Sequence, residues 1–592
     1  MLVIARAGEL PPERRIWGTG GWLAPEEREG LDWLALARLL GWSAELAPAS
    51  RELDPAALAE RRWVVVASDP DKLFESCAEQ LGACLREAPL ALVTRAAAPR
   101  TPLARLAGAS RGSEPIAGRD LRWTGPGPPL ALRCREPVAG FRLDLAPTVE
   151  VWARLDGAPL VAARALGRGR VVTLAFHPSA ARDAAGAFTA LAKRVLVGAS
   201  LEPVAWLEQG GALALRMDDP GGAQSVYCRS WRHPKLGPDE WEALGAALGR
   251  RRARLSIGYV AGFVDDGDPA RGTLYVDGAA AARAPGRVHP APAVRYEERA
   301  GHAPGTVSDG AAEYRGIQRL RAAGLAEVEL HGYTHMHPDP KAWARAPDRY
   351  EAVAWYRELG RAASPILAAA PAARHPLALG LAAFERWFAT RPVALVNPGD
   401  EWTDEVLERA LALGLELVSS YYLALRDGER FCWVQHVCSP YLDLPDAAWF
   451  DAELPVVATF HDRDVALHGV GWVEDWLERW EAAGARRLVD LRELAAALRL
   501  RLRLAGDGSG LVLRGAQASL PRPVPVGLWA PGRRLPTQIA LEGATTLLPV
   551  EELRPGLGRA RLPAGPLAPA EARPSYFSAA LACEDRSGGR AA

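Results

Sequence analysis

At 592 residues the chain is too long for a single hydrophobic core, so about two to four domains are expected. Its composition, 49% hydrophobic and 24% charged, is ordinary for a globular protein. A formal net charge of +0 removes any bulk electrostatic case for nucleic acid or an anionic membrane as partner. No apolar run reaches the ~18 residues a membrane span needs, and Met1 to Gly8 hold too short an apolar stretch for a secretory signal. A cytoplasmic location is therefore expected. The seven cysteines are Cys77, Cys84, Cys134, Cys228, Cys432, Cys438 and Cys583. Their number is odd and none form a C-x-x-C pair, which argues against a zinc ribbon or a disulfide framework and suits a reducing compartment. The only lysines are Lys72, Lys193, Lys235 and Lys341. The Arg-heavy balance, with so much Ala, Leu, Gly and Pro, reads as coding bias rather than chemistry. Oligomeric state has no signature here.

Over residues 1–200, apolar runs at 62–67 and 90–94 read as buried strands, and 31–40 as a helix closed by Gly41. This alternation predicts an open parallel sheet. Two further strands, 149–155 and 171–176, flank a turn at Gly167-Arg168-Gly169. The stretch from Gly167 to His177-Pro178 resembles the end of class I glutamine amidotransferase-like domains. That family carries its nucleophile in a G-x-C-x-G elbow and a partner in His-x-Glu. Here Leu81-Gly82-Ala83-Cys84-Leu85 lacks the second glycine, and His177 is followed by Pro178 and Ser179. The domain is accordingly read as non-catalytic, packing on the next domain or presenting substrate to it.

The region 201–500 opens with Ala212-Leu213-Ala214-Leu215-Arg216-Met217, a first barrel strand, ending in Asp218-Asp219-Pro220-Gly221. Adjacent carboxylates repel unless a cation or hydrogen bonds compensate, although Asp-Pro-Gly is also ordinary turn chemistry. Next, a helix over 314–323 leads into a strand over 325–330, followed by His331-Gly332-Tyr333-Thr334-His335. Two histidines at this spacing on a helix would suggest an H-E-x-x-H protease, but the Glu position is Gly332. Gly332 and Thr334 suit a loop leaving a strand. Two imidazoles plus one carboxylate make an open zinc site with a position left for water.

These stretches resemble the polysaccharide (chitooligosaccharide-type) deacetylase family over residues 205–497. The resemblance implies a distorted (β/α) barrel, with Asp218 as general base and Asp219, His331 and His335 as ligands of a divalent metal, Zn2+ foremost. It also implies an insertion over 228–313. In that insertion Asp265, Asp266 and Asp268 form either a second cation site or a solvated turn. A third strand enters Asn397-Pro398-Gly399-Asp400-Glu401-Trp402, where the family carries an R-x-P-x-G-like motif that helps hold the oxyanion. Asn397, Gly399 and Trp402 are the substrate-binding or oxyanion candidates, Trp402 as a sugar-stacking wall or as plain packing. Val396 stands where the family has Arg. Thr403 caps a helix over 404–413 ended by Gly414.

A fourth strand, 454–460, ends in His461-Asp462-Arg463-Asp464. His461 is the implied general acid, oriented by Asp462 or Asp464, with His468 as second choice. The implied chemistry is attack on an N-acetyl carbonyl by a water activated at the metal and deprotonated by Asp218, with His461 protonating the leaving amine. The substrate would be a carbohydrate. Two other readings stand beside it. A metal-free glycosidase needs carboxylates from different strand ends, and a non-catalytic module would keep the fold for carbohydrate binding or assembly. Residues 501–592, with alternation at 500–504 and a run at 510–514, read as a β-rich, sandwich-like accessory domain with a disordered end over 587–592. The fold class expected is α/β throughout the first two domains.

Overall fold

The computed structural model describes residues 1–5, 25–48, 60–177, 187–227, 231–299, 307–344, 355–415, 417–420, 432–438, 445–506, 511–514, 519–542 and 547–567, with single positions 53, 54, 56 and 58. Pro178, Ser179, Gly510 and 587–592 lie outside the described residues.

The first layer is a nine-stranded sheet. Strands β1 (Leu2–Ala5), β2 (Glu45–Pro48), β3 (Trp63–Val66), β4 (Ala91–Arg95), β5 (Ala109–Trp123), β6 (Leu130–Leu145), β7 (Glu150–Leu155), β8 (Ala158–Leu166) and β9 (Gly169–Leu174) run in the order β2-β1-β3-β4-β9-β8-β7-β5-β6. The half from β2 to β9 is parallel, as expected. The half from β9 to β6 is antiparallel, which corrects the expected all-parallel sheet. The reason is connection length: a parallel pair needs a crossover of a dozen residues or so. Only Asp156 and Gly157 separate β7 from β8. Both have positive φ (45° and 88°), the two-residue hairpin geometry that favours Asp-Gly. The turn at Gly167 joins β8 to β9, so 149–155 and 171–176 are not its two arms. Trp33, Trp63, Trp123, Trp152 and Leu191 are buried together in the core of this layer.

The central sheet is parallel and curls back on itself. Its strands are β11 (Ala212–Asp218), β12 (Leu255–Tyr259), β19 (Ala326–Leu330), β20 (Ala394–Val396), β21 (Leu417–Ser420), β22 (Cys432–Cys438), β23 (Val456–His461) and β24 (Arg487–Val489). They run β12-β19-β20-β21-β22-β23-β11-β24, and β11 also pairs with β12. β11 divides one of its edges: residues 212–214 pair with β24 and residues 215–218 with β12. Alternation sorts its side chains. Leu213, Leu215 and Met217 pack with Trp241, Leu244 and Leu248 of the helix Pro238–Arg250. Ala212 and Ala214 lie with Val396, Leu417 and Val457 on the other face, which Arg216 and Asp218 share by period. In a parallel sheet all carboxyl ends lie at one rim, so Asp218, His331, Asn397 and His461 are delivered to the same end.

The expected insertion over 228–313 is smaller than the sequence suggested. The helix Pro238–Arg250 and β12 lie inside that range but are regular parts of the curled sheet. What departs from it is the set of short strands Gly262–Val264, Gly272–Val276, Ala279–Ala280, Val288–Pro290, Val294–Glu298 and Val307–Asp309 (β13–β18). The strand Leu255-Ser256-Ile257-Gly258-Tyr259 is short and interrupted by Gly, which hid it. Asp265 and Asp266 are buried there and bound by Arg283, with Arg271 near Asp266, so their charge is answered by guanidinium rather than solvent.

Strand β10 (Val204–Leu207), which precedes the barrel, pairs antiparallel with Val524–Trp529 and so belongs to a sheet of the β-rich tail. Arg62 of the first layer donates to the carbonyls of Pro203 (2.6 Å) and Leu504 (2.7 Å). No helix among the described residues is long and apolar enough to cross a membrane.

An ion cluster of two buried cations and a half-buried carboxylate ties the helix Ala187–Ala199 to the segment before β23. Lys193 donates to Glu453 Oε2 at 2.8 Å and Arg194 binds Glu453 Oε1. Burial alone would raise the Glu453 carboxyl, but the two cations outweigh it and hold it down at about 2. A depressed carboxylate stabilises the fold above its unfolded value of 4.5, and that contribution is lost as pH falls towards 2. Glu453→Gln is expected to lower stability by about 3 kcal/mol at pH 7. The difference from wild type should shrink steadily below pH ~4.5, as read by denaturant unfolding at several pH values.

Candidate metal centre

On a straight strand, adjacent side chains face opposite sides. Asp218 ends β11, and Asp219 then takes a left-handed conformation (φ 81°) that turns the chain. Gly222 N–H closes this turn on the Asp219 carbonyl at 3.0 Å, and Gly221 follows with φ 84°. The reversal leaves both carboxylates buried at the same rim.

Asp219 Oδ1 lies 3.4 Å from His331 Nε2 and 3.7 Å from His335 Nε2. One ligand atom from each of the three residues falls within 4.8 Å of the others. His331 Nδ1 lies 3.0 Å from the Val396 carbonyl, which can only accept, so Nδ1 carries a proton and Nε2, on the Asp219 side, is the nitrogen that would ligate an ion. His335 sits at φ 59°, its ring edge-on to His331 at 4.6 Å. Burial and the neighbouring His331 push its pKa down to about 4, so its imidazole is neutral at physiological pH. For His331 burial lowers the pKa, but Asp218 and Asp219 raise it overall. Asp219 is held well below the usual carboxylate range by His331, His335 and His461, against the effect of burial. Two imidazoles and one ionised carboxylate, all buried and converging, are a donor set that fits a divalent ion of the zinc type. Gln224 Nε2 also donates to Asp219 Oδ1 (2.8 Å), and Lys235 Nζ donates to its carbonyl (3.3 Å).

Asp218 is not bare. Arg216, two residues back on the same face, reaches Oδ1 through Nε (3.0 Å) and Oδ2 through a terminal nitrogen (2.6 Å). The other terminal nitrogen is anchored across the barrel on Ser419, at 2.7 Å to Oγ and 3.1 Å to the carbonyl. Gly258 leaves room for this carboxylate, since a Cβ there would lie 2.6 Å from Asp218 Oδ1.

His461 is 34% exposed, unlike the closed triad. Its Nδ1 lies 3.5 Å from Asp464 Oδ2, and its backbone N–H donates to the same oxygen at 2.8 Å. Burial opposes its charge, but Asp464, Asp219 and Asp218 outweigh this and push the pKa up to about 9. Of the two carboxylates expected to orient it, Asp464 does so. Asp462 instead pairs with Lys235 (2.6 Å) and His233 (3.1 Å). His468 is exposed at the far end of the helix Asp462–His468, beside Trp472.

Asn397 is buried, with no hydrogen-bond partner for its carboxamide among the described residues. By alternation it falls with Leu395, on the face towards the helices. Gly399 has φ 62°, and a Cβ there would press on Tyr356 and Arg357. Trp402 is fully buried among Val406, Leu407 and Ala410, which corrects its candidacy as a sugar-stacking wall. The sequence reading missed Arg216, Lys235 and Glu358. For Arg216 a signal existed, since i and i+2 share a strand face. Glu358 lies beneath the histidine loop and comes from a segment with no periodic pattern.

No family model matches the chain, and no curated protein matches it. Among solved structures, a candidate polysaccharide deacetylase from Mycobacterium smegmatis aligns over 50% of this chain and 93% of its own, at 14% identity and a TM-score of 0.30. The exo-beta-1,4-mannosidase Op5Man5 from Opitutaceae bacterium strain TAV5 aligns over 33% of this chain and 34% of its own (14%, 0.23). Cytoplasmic protein STM1381 from Salmonella typhimurium LT2 aligns over 29% and 86% (14%, 0.22). The chain thus spans about a third of the mannosidase's length. Scores this low carry no weight for fold or activity.

The protein is expected to bind about one equivalent of Zn2+ in competition with a chromophoric chelator. The double variant His331→Ala/His335→Ala should bind none at this site, and undiminished stoichiometry would remove the ligand assignment.

Proposed function

We propose that the chain is a metal-dependent carbohydrate hydrolase that removes N-acetyl groups from an amino-sugar substrate. The observation that carries this reading is the buried Asp219–His331–His335 triad at the same rim as His461, which Asp464 adjoins. Asp219, His331 and His335 would hold the ion, which when bound supplies Lewis acidity and lowers the pKa of a coordinated water. Asp218, fixed by Arg216, takes the proton of the attacking water as the new C–O bond forms. His461, oriented by Asp464, gives its proton to the amide nitrogen as the C–N bond breaks, leaving acetate and a free amine. The Gly399 N–H is the backbone donor assigned to the developing oxyanion.

The reading of a non-catalytic binding module draws on one observation: both oxygens of Asp218 are already engaged by Arg216. Kinetics separate the two. Asp218→Asn and His461→Ala are each expected to lower the kcat for acetate release from N-acetylated oligosaccharides by about 10²–10⁴-fold with metal content unchanged. An acid must be protonated, so activity should fall as pH rises through the His461 pKa, at or below about 9 because a cation beside Asp219 opposes the shift. This alkaline limb should disappear in His461→Ala. Acetate release by Asp218→Asn at the wild-type rate would exclude the assigned base. Metal-loaded wild type that binds such glycans and releases nothing would establish the binding module.

A further inference from the structure

The geometry points to Glu358 as the positioning residue that holds His335 in ligating form, an inference that rests on the metal reading of the triad. Glu358 is buried, between Trp355 and Leu359, which are fully packed into two different apolar clusters. Its carboxylate lies under the histidine loop and is shared evenly. Oε2 accepts from the backbone N–H of Tyr333 (2.8 Å) and of His335 (3.2 Å). Oε1 accepts from the backbone N–H of Thr334 (2.9 Å) and from its hydroxyl (2.9 Å). Four donors meet the roughly four lone-pair sites of an ionised carboxylate. No neutral side chain of this shape offers the same set.

The loop needs such a partner. His335 holds a left-handed φ of 59°, and Gly332 one of 73°. A left-handed conformation is disfavoured for a residue with a Cβ, and it persists only where its surroundings impose it. His335 Nδ1 has no hydrogen-bond partner among the described residues, so no bond to the ring sets its orientation as the Val396 carbonyl does for His331. The backbone bonds to Glu358 supply the missing restraint. They also account for Gly332, where any Cβ would collide with Glu358 Oε2 and with the Pro398 ring.

Glu358→Gln keeps the shape but retains an acceptor on one side only, turning an NH2 group towards at least one backbone N–H donor. It is expected to weaken Zn2+ binding about 10–100-fold in chelator competition. The rise in Tm given by saturating Zn2+ should shrink accordingly, while far-UV circular dichroism stays unchanged. Thr334→Val removes one of the four bonds, together with the hydroxyl's contacts to the Met336 backbone, and should weaken Zn2+ several-fold. It decides the matter if Glu358→Gln does not fold. Wild-type Zn2+ affinity in Glu358→Gln, or in Thr334→Val where that variant is the deciding one, overturns this inference alone. No Zn2+ binding by the wild type overturns the metal reading and this inference with it.

Discussion

Two adjacent carboxylates cannot both be buried and ionised unless each has a counter-charge of its own. That constraint organises the rim of the barrel. Asp218 is answered from its own strand by Arg216, whose far end is tethered to Ser419 on a strand three places away. Asp219 is turned aside by its left-handed backbone and answered by His331 and His335, with His461 further out. The separation gives the carboxylates different chemistry. One is fixed by a permanent cation, and the other faces two imidazoles, of which His335 is neutral at physiological pH. On the proposed function a divalent ion would add to the charge that answers the second.

The ring of charge extends behind the triad. Lys235 is one of only four lysines in the chain, and it joins the Asp219 carbonyl to Asp462, the residue after His461. The ends of β11 and β23 are thus linked by an ammonium group as well as by their ladder. Lys193, a second of the four, is buried in the cluster around Glu453. Lysine's scarcity reflects coding bias, yet half of the lysines serve as enclosed ion-pair partners.

Much of the site was legible because it obeys strand periodicity. Apolar runs ending in Asp218-Asp219, His331, Asn397 and His461 predict strand ends, and parallel order puts those ends together. What was not legible depended on contacts distant in sequence. Glu358 reaches its loop from 23 to 25 residues away, with no spacing to announce it. For Trp402 the sequence left a stacking wall and plain packing open, and the helix Asp404–Ala412 packs over it. In the first layer the Asp156-Gly157 hairpin was a local signal passed over in favour of strand–helix alternation, and the antiparallel half of the sheet followed from it.

The divided edge of β11 bears on how the chain assembles. Its partners β23 and β24 lie about 240 residues or more downstream, while β12 follows within about 40 residues. On the ribosome, β11, β12 and β19 can associate early, bringing Asp219 near His331 and His335. The other side of β11 must stay uncovered until β23 is made. The triad therefore draws on strands made earlier in the chain, and His461 on the strand that closes the sheet. On the proposed function, an ion captured by the nascent triad would also brace an unclosed sheet.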